Sequence, residues 1–414
     1  MPKGSPPSRK PLILVVIGTR PEAIKMAPVV RALAERDAEV DFHIALTGQH
    51  DELVDQVLSA FQMSADYDLG IMRPGQTLYD VAHACLDGLK GVIQTSEPDL
   101  VLVQGDTASV FFGALGAFFE DVGVGHVEAG LRSRHPGIPY PDPYPEEVFR
   151  RLTGVLALHH FAPTLWAKKN LLREGVPEER VHLTGNTVVD ALRAMAGIPH
   201  EPVDEDLREV LSGPRDLVLL TAHRRESFGE PIREVFRAVR ALVEETGGIE
   251  VLYPVHPNPN VLQPAQEILS GHPRIRLTDP LNYMDLVSAL KHARLVLTDS
   301  GGIQEEAPTF GAPVLVLREA TERPEGIEAG VACLVGTDGS RILQEARTLL
   351  KESGTNPGDG RIEGEGWRNP SGDGLAGVWI AVVAVSSLTG SPRRTVDWDG
   401  ACRCSVFVSA FPRS

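Results

Sequence analysis

Leu12-Ile13-Leu14-Val15-Val16-Ile17 runs straight into Gly18-Thr19-Arg20-Pro21-Glu22-Ala23-Ile24-Lys25. Six apolar residues in a row read as a strand buried on both faces, because a half-exposed strand would alternate. A helix opens immediately after it, with Pro21 in the first turn, where a missing N–H costs nothing. Strand, tight turn and helix make the first step of a parallel α/β unit. The helix start, with its free N–H groups and with Arg20 and Lys25 beside it, suits a phosphate. It is not a Walker A loop, since the second glycine and the Lys-Ser/Thr pair are absent. A capped helix carrying surface charges explains the turn equally well when it is taken alone.

The same texture repeats outward from this start. Strands are expected at Leu12–Ile17, Phe42–Leu46, Leu100–Val103, Val124–Val127 and Val181–Leu183, with helical stretches such as Ala23–Glu35 and Ala108–Glu120 between them. Ile198-Pro199-His200-Glu201-Pro202 reads as a linker. A second series follows at Leu217–Thr221, Val251–Val255, Ile275–Leu277, Leu295–Thr298 and Val314–Leu317. The fold class is therefore α/β, with two Rossmann-like, doubly wound domains facing a cleft, over residues 11–197 and 203–380. Ligands are expected at the carboxyl ends of the strands. Residues 381–414 read as a divergent, poorly ordered tail, since Thr389–Ser414 has no helical periodicity.

Composition narrows the function classes. The 414 residues carry a formal net charge of -16, which argues against a sequence-independent nucleic-acid binder. Four scattered cysteines, Cys85, Cys333, Cys402 and Cys404, fit a reducing, cytoplasmic compartment and offer no disulfide framework or metal set. The apolar run after Lys3, Arg9 and Lys10 is too short for a signal-peptide core, and Leu375–Leu388 is too short to span a bilayer. A soluble protein without a membrane partner is expected.

The chemistry-bearing groups lie at strand ends. Asp106, in Gln104-Gly105-Asp106-Thr107, sits where an Asp commonly caps the next helix. Gly123-Val124-Gly125-His126-Val127-Glu128 is not a dinucleotide fingerprint, because the strand lies inside it; Glu128 instead emerges at the strand end, with Arg132 and Arg134 close behind. Pro143-Tyr144-Pro145-Glu146-Glu147 starts a helix with two carboxylates, which the helix dipole alone would explain. In the second series, Thr221-Ala222-His223-Arg224-Arg225-Glu226 places a histidine beside two arginines. Asp299-Ser300-Gly301-Gly302 opens a helix whose N–H groups a phosphate can approach. Glu306, a turn inside, is placed to accept a ribose diol, and Arg323 adds a cation.

Together these segments resemble the bacterial non-hydrolysing UDP-N-acetylglucosamine 2-epimerases. The resemblance rests on Gly18 through Pro28, Gly105-Asp106-Thr107, His126 through Arg132, Pro143 through Glu147, His223 through Glu226, Tyr253 through His256, Asp299 through Glu306 and Arg323 through Gly326. It covers roughly residues 11 to 350 in family order. It implies a GT-B-like domain pair, a homodimer, no cofactor and no metal, and UDP-N-acetylglucosamine and UDP-N-acetylmannosamine as substrates. Carried over, the acid/base residues are Asp106, Glu128, Glu146 and His223. The UDP contacts are Arg20, Lys25, Ser300, Gly301, Gly302, Glu306 and Arg323. Gln49 and His50 match part of an activator site, although Gly75 stands where an arginine is usual there.

Three departures accompany the likeness. Gln104 replaces a common His. The stretch from Arg134 to Tyr140 is longer than usual. In the closing motif, Ser371 and Trp379 stand in place of Tyr and Arg, and the resemblance ends after Ile380. Two other readings stay open on the sequence: a hydrolysing epimerase, and a sugar-nucleotide-binding homologue with impaired catalysis.

Overall fold

The computed structural model describes residues 9–48, 52–73, 75–133, 140–141, 143–352 and 369–391. Within them the chain forms two compact units. One takes the chain up to Ala191 and again from Gly372; the other takes Leu192–Ser371.

Seven strands build the sheet of the first unit: β1 (Leu12–Ile17), β2 (Asp41–Leu46), β3 (Tyr67–Asp68), β4 (Leu100–Gln104), β5 (Gly123–Val127), β6 (His159–Ala162) and β7 (Val181–Leu183). Their order is β3-β2-β1-β4-β5-β6-β7, and every pair is parallel. All six residues of β1 are buried, as helices on both faces require. Leu14, Val16, Val101, Val103 and Ala114 share one face with Leu89 and Ile93 of the helix Leu78–Ser96.

Six strands build the second sheet: β8 (Asp216–Thr221), β9 (Ile249–Pro254), β10 (Ile275–Thr278), β11 (Ala293–Thr298), β12 (Val314–Val316) and β13 (Ala332–Leu334). The order β10-β9-β8-β11-β12-β13 repeats the same winding, again wholly parallel. Its largest core gathers Leu220, Phe236, Tyr253, Leu297 and Leu315. The doubly wound α/β class is therefore observed in both units. Three strands absent from the sequence reading, β3, β6 and β13, complete the sheets.

The C-terminal region differs from expectation. The second unit ends at Ser371 and not at residue 380, and residues from 381 onward do not begin a tail. Ala376–Thr389 forms a helix packed against Arg20–Ala34 of the first unit. Its apolar residues are buried nearly all round, so no periodic polar face marks it in the sequence. Gly377 permits the contact: a Cβ there would lie 2.6 Å from the carbonyl carbon and oxygen of Pro28. The Gly377 N–H donates to Asp190 Oδ1 at 2.8 Å, which satisfies the new helix start. Residues 392–414 lie outside the described residues. Among those described, no helix is long and apolar enough to cross a membrane.

Candidate active site

In each sheet the winding reverses between the two central strands, β1 and β4 in one unit, β8 and β11 in the other. Open α/β sheets bind ligands outside the carboxyl ends of the strands at such a point. The motifs singled out in the sequence fall there.

In the first unit, Glu128 follows β5 and is nearly buried. Lys25, one turn into the helix after β1, donates to both of its carboxylate oxygens at 2.8 and 2.7 Å. Gln104, the last residue of β4, donates to Glu128 as well. The amide that replaces the more usual His thus holds this carboxylate itself. Glu128 also has φ of 65°, a left-handed conformation that costs a non-glycine residue about 1–3 kcal/mol and persists only where its surroundings fix it. Bonds from the backbone and to the side chain fix it here. The Ala129 N–H donates to the Phe161 carbonyl at 3.0 Å, and the side chain is gripped from two directions.

Asp106 does not cap the next helix. The N-cap of Ala108–Phe119 is Thr107, which makes no side-chain cap bond. Asp106 is instead ion-paired with Arg150. Arg150 is anchored in turn by Glu147 at 2.9 Å, and Glu147, wholly buried, also accepts from the Ser133 N–H and from Arg151. The two carboxylates at this helix start therefore divide. Glu147 is a structural anchor, whereas Glu146 is half-buried with no side-chain hydrogen bond among the described residues. His126 braces the Asp106 loop, its Nε2–H donating to the Gly105 carbonyl at 2.7 Å. Burial pushes this imidazole down to about 3, so it remains neutral.

Arg20 opens the first helix, half-buried, without an ion pair among the described residues. Arg132 turns away from Glu128 to clamp Glu174 at 2.8 and 2.7 Å. Gln49, His50 and Arg134 lie outside the described residues.

In the second unit, Asp299 at the end of β11 is buried. Its Oδ2 accepts the backbone N–H groups of His223 and Arg224, at 2.7 and 2.8 Å. The loop after β8 is thereby tied to the loop after β11. The His223 ring stacks on His256 with centroids 5.6 Å apart, and its Nδ1 lies 3.5 Å from Asp299 Oδ1. Burial holds the His223 imidazole below its ordinary value, with Asp299 opposing and His256 and Arg224 adding to the fall.

Ser300 is the N-cap of Gly301–Glu306 and makes no side-chain cap, so this turn's first N–H groups gain no partner from it. Two guanidinium groups stand over it. The Cβ position at Gly301 is 3.6 Å from Arg323 Cζ and 3.7 Å from Arg224 Nη2. Arg323 is aimed there by Glu305, which takes its Nε–H at 2.8 Å. Gly302 and Glu306 sit half-buried on the same turn. Backbone donors and two cations make an anion cradle. Asn369 backs it, donating to the Glu305 carbonyl at 2.8 Å and to Thr309 at 2.9 Å. Ser371, in place of the usual Tyr, is buried and donates its N–H to Asn369 Oδ1 at 2.8 Å.

The structure thus bonds Lys25 to Glu128 and pairs Asp106 with Arg150 in the first unit, and in the second it sets Arg323 and Arg224 close to Gly301 while Asp299 holds the His223 loop. Sequence reading missed Gln104, Glu147, Arg150, Arg224 and Asp299 as their partners. Only the position of Asp299, closing a strand before Ser-Gly-Gly, signalled it.

Comparison with known proteins adds to this geometry. A family model described as UDP-N-acetylglucosamine 2-epimerase matches residues 31–383. A UDP-N-acetylglucosamine 2-epimerase of Salmonella typhimurium is 46% identical over 367 residues, covering 87% of this chain and 95% of the relative. One from Escherichia coli is 46% identical over 372 residues, covering 88% and 96%. The crystal structure of a UDP-GlcNAc 2-epimerase from Neisseria meningitidis bound to UDP-GlcNAc superposes with a TM-score of 0.76 at 39% identity, covering 92% of this chain and all of that one.

Proposed function

The chain belongs to the UDP-N-acetylglucosamine 2-epimerase family, and on that premise we propose that it interconverts UDP-N-acetylglucosamine and UDP-N-acetylmannosamine reversibly without hydrolysing either. The observation that carries this reading is the group around Glu128: a carboxylate held by Lys25 and Gln104, beside the loop of the Arg150-paired Asp106.

The hydrogen on carbon 2 of the sugar is not acidic in the intact substrate. Breaking the bond from carbon 1 to the UDP oxygen first builds oxocarbenium character, which acidifies it. A carboxylate then takes the proton, leaving 2-acetamidoglucal and UDP. UDP adds back to carbon 1 while a proton reaches carbon 2 from the opposite face. The sequence is redox-neutral and balances without an added cofactor. It needs an acid/base group for each face of the sugar, and we assign this work to Asp106, Glu128 and Glu146, with His223 at the departing diphosphate. By the family resemblance, Arg20 and Lys25 in the first unit and Ser300, Gly301, Gly302 and Arg323 in the second are the UDP contacts, whose cations stabilise the developing charge, and Glu306 accepts the ribose hydroxyls.

The complete carboxylate set and the Lys25-Met26-Ala27-Pro28 signature favour the non-hydrolysing over the hydrolysing reaction. A homodimer fits the resemblance, and free, buried Cys85 and Cys333 fit the cytoplasm. The test is incubation with UDP-N-acetylglucosamine in deuterated water, followed by proton NMR. Deuterium should enter carbon 2 as UDP-N-acetylmannosamine builds to an equilibrium with UDP still attached. Stoichiometric free UDP with N-acetylmannosamine would establish hydrolysis instead, and inversion without deuterium would overturn the elimination route.

A further inference from the structure

Glu22 is absent from the roles assigned above, yet its carboxyl is buried beside them, at 2% exposure. It stands one turn before Lys25 on the helix after β1. Its Oε2 accepts the Gly18 N–H at 2.5 Å. Its Oε1 lies 2.7 Å from Thr107 Oγ1 and 3.2 Å from Thr19 Oγ1. Thr107 is the residue after Asp106. A single side chain therefore joins the loop that presents Arg20 and Lys25 to the loop that presents Asp106.

The contact is close-packed. A Cβ at Gly18 would meet Ser109 Oγ at 2.2 Å and Glu22 Oε2 at 3.1 Å, so no larger residue fits between the two loops. Ser109 itself accepts from Thr47 at 2.6 Å, which extends the buried polar seam to the end of β2. Surface attraction does not explain the placement, because no cation pairs with Glu22 among the described residues. An unpaired carboxyl is costly to bury unless its bonds serve a purpose.

We propose that Glu22 is a positioning residue, whose buried carboxyl clasps the loops after β1 and β4 and so sets Lys25, with the Glu128 it holds, in register with Asp106. This rests on the epimerase reading, since that is what gives the register of these groups its importance. Glu22 itself touches no reacting atom. Burial raises its carboxyl to about 7, against which its hydrogen bonds work, so it holds its proton far more readily than an exposed glutamate. A glutamine has the same shape and can serve the same partners: its carbonyl takes the Gly18 N–H and its amide meets the threonine hydroxyls.

The test uses the full chain and begins with wild-type turnover of UDP-N-acetylglucosamine. Failure of the wild type to epimerise would defeat the function and not the clasp. Given wild-type turnover, Glu22→Ala should lower kcat per folded molecule by roughly a hundredfold, the scale for misplacing reacting groups by about an ångström. UDP affinity, measured calorimetrically, should fall far less than kcat, since most of the UDP contacts lie in the second unit, and Glu22→Gln should recover most of the lost kcat. Thr107→Val should lower kcat less, and adding it to Glu22→Ala should cost little more, because both remove one contact. Undiminished kcat in folded Glu22→Ala, or losses from the two substitutions that simply add, would overturn the proposal. Should Glu22→Ala not fold, Thr107→Val measured with and without Glu22→Gln carries the test. A loss confined to Tm in those variants would be equally fatal.

Discussion

In the first unit the loops after the two central strands are joined by Glu22, which stands on the β1 side and meets one N–H and two hydroxyls. In the second unit the matching joint is made by Asp299, from the β11 side, through the N–H groups of His223 and Arg224. Both carboxyls are buried at the point where the winding reverses. The difference lies in what each fixes. Asp299 bonds to main chain and so sets the backbone from which His223 and Arg224 project. Glu22 bonds largely to side chains and so sets how two groups of charged side chains meet. One joint serves an anion cradle built on backbone donors, the other a set of ion-paired carboxylates. Binding and chemistry should therefore respond separately to substitution.

The largest expected effect tests that separation. Asp106→Asn and Glu128→Gln should each lower turnover by about a hundredfold or more, the usual scale for losing an acid/base group, while UDP still binds. Arg323→Ala should do the reverse, weakening UDP binding by roughly tenfold to a hundredfold, as the loss of a charged hydrogen bond worth ~1.5–3 kcal/mol would. Arg323→Lys, which keeps a cation beside buried Glu305, should lose less. Single-turnover kinetics and calorimetry with UDP resolve the two classes. Carboxylate variants that lose UDP affinity but keep turnover of bound substrate would erase the distinction.

Much of this arrangement is legible in the sequence for a physical reason. Parallel strands are buried on both faces, so β1, β4, β8 and β11 stand out by their apolar stretches, and their carboxyl ends locate the motifs. The strands that escape are short or written in polar letters. β3 has two residues, and β6 begins His159-His160. Partners also escape: nothing in spacing says that residue 106 meets residue 150, or that Glu147 serves the fold while its neighbour Glu146 does not. The helix Ala376–Thr389 escapes for the opposite reason, being apolar all round where sequence reading looks for two unlike faces.

A smaller effect sharpens the contrast between the joints through pH. With its carboxyl raised from an ordinary 4.5 to about 7, Glu22 is protonated in the folded chain across a window where the unfolded chain has already ionised. Its contribution to stability is therefore complete below about 4.5, declines as pH rises, and is lost once pH passes about 7. Glutamine does not titrate. The Tm of Glu22→Gln, whatever its constant offset, should gain on the wild type between pH 4.5 and 7 and then run level with it. A gap that stays constant across this window would show Glu22 ionised in the folded state. Asp190, which accepts the Gly377 N–H, is raised to about 7 for the same reason and should add to the decline in both proteins alike.

The smallest expected effect concerns what lies beyond that helix. Its anchors among the described residues all fall before residue 392. Gly377 is seated against Pro28, the Gly377 N–H is held by Asp190, and residues such as Ile380, Val383 and Ala384 are buried. At the other end, Gly390 takes the left-handed conformation of a helix stop, and its N–H returns to the Ser386 carbonyl. Removing residues 392–414 leaves each of these contacts in place. The Tm should shift by no more than roughly 2 °C, which is what ~0.5 kcal/mol amounts to in a chain of this size, and turnover should be unchanged. Gly377→Val is the internal control. Its side chain would be driven into the Pro28 backbone, so it should lower the Tm clearly where the truncation does not. A truncation as damaging as Gly377→Val would mean that the helix is held from beyond its own end. The helix Arg20–Ala34, which carries Glu22 and Lys25, would then depend on the last residues of the chain.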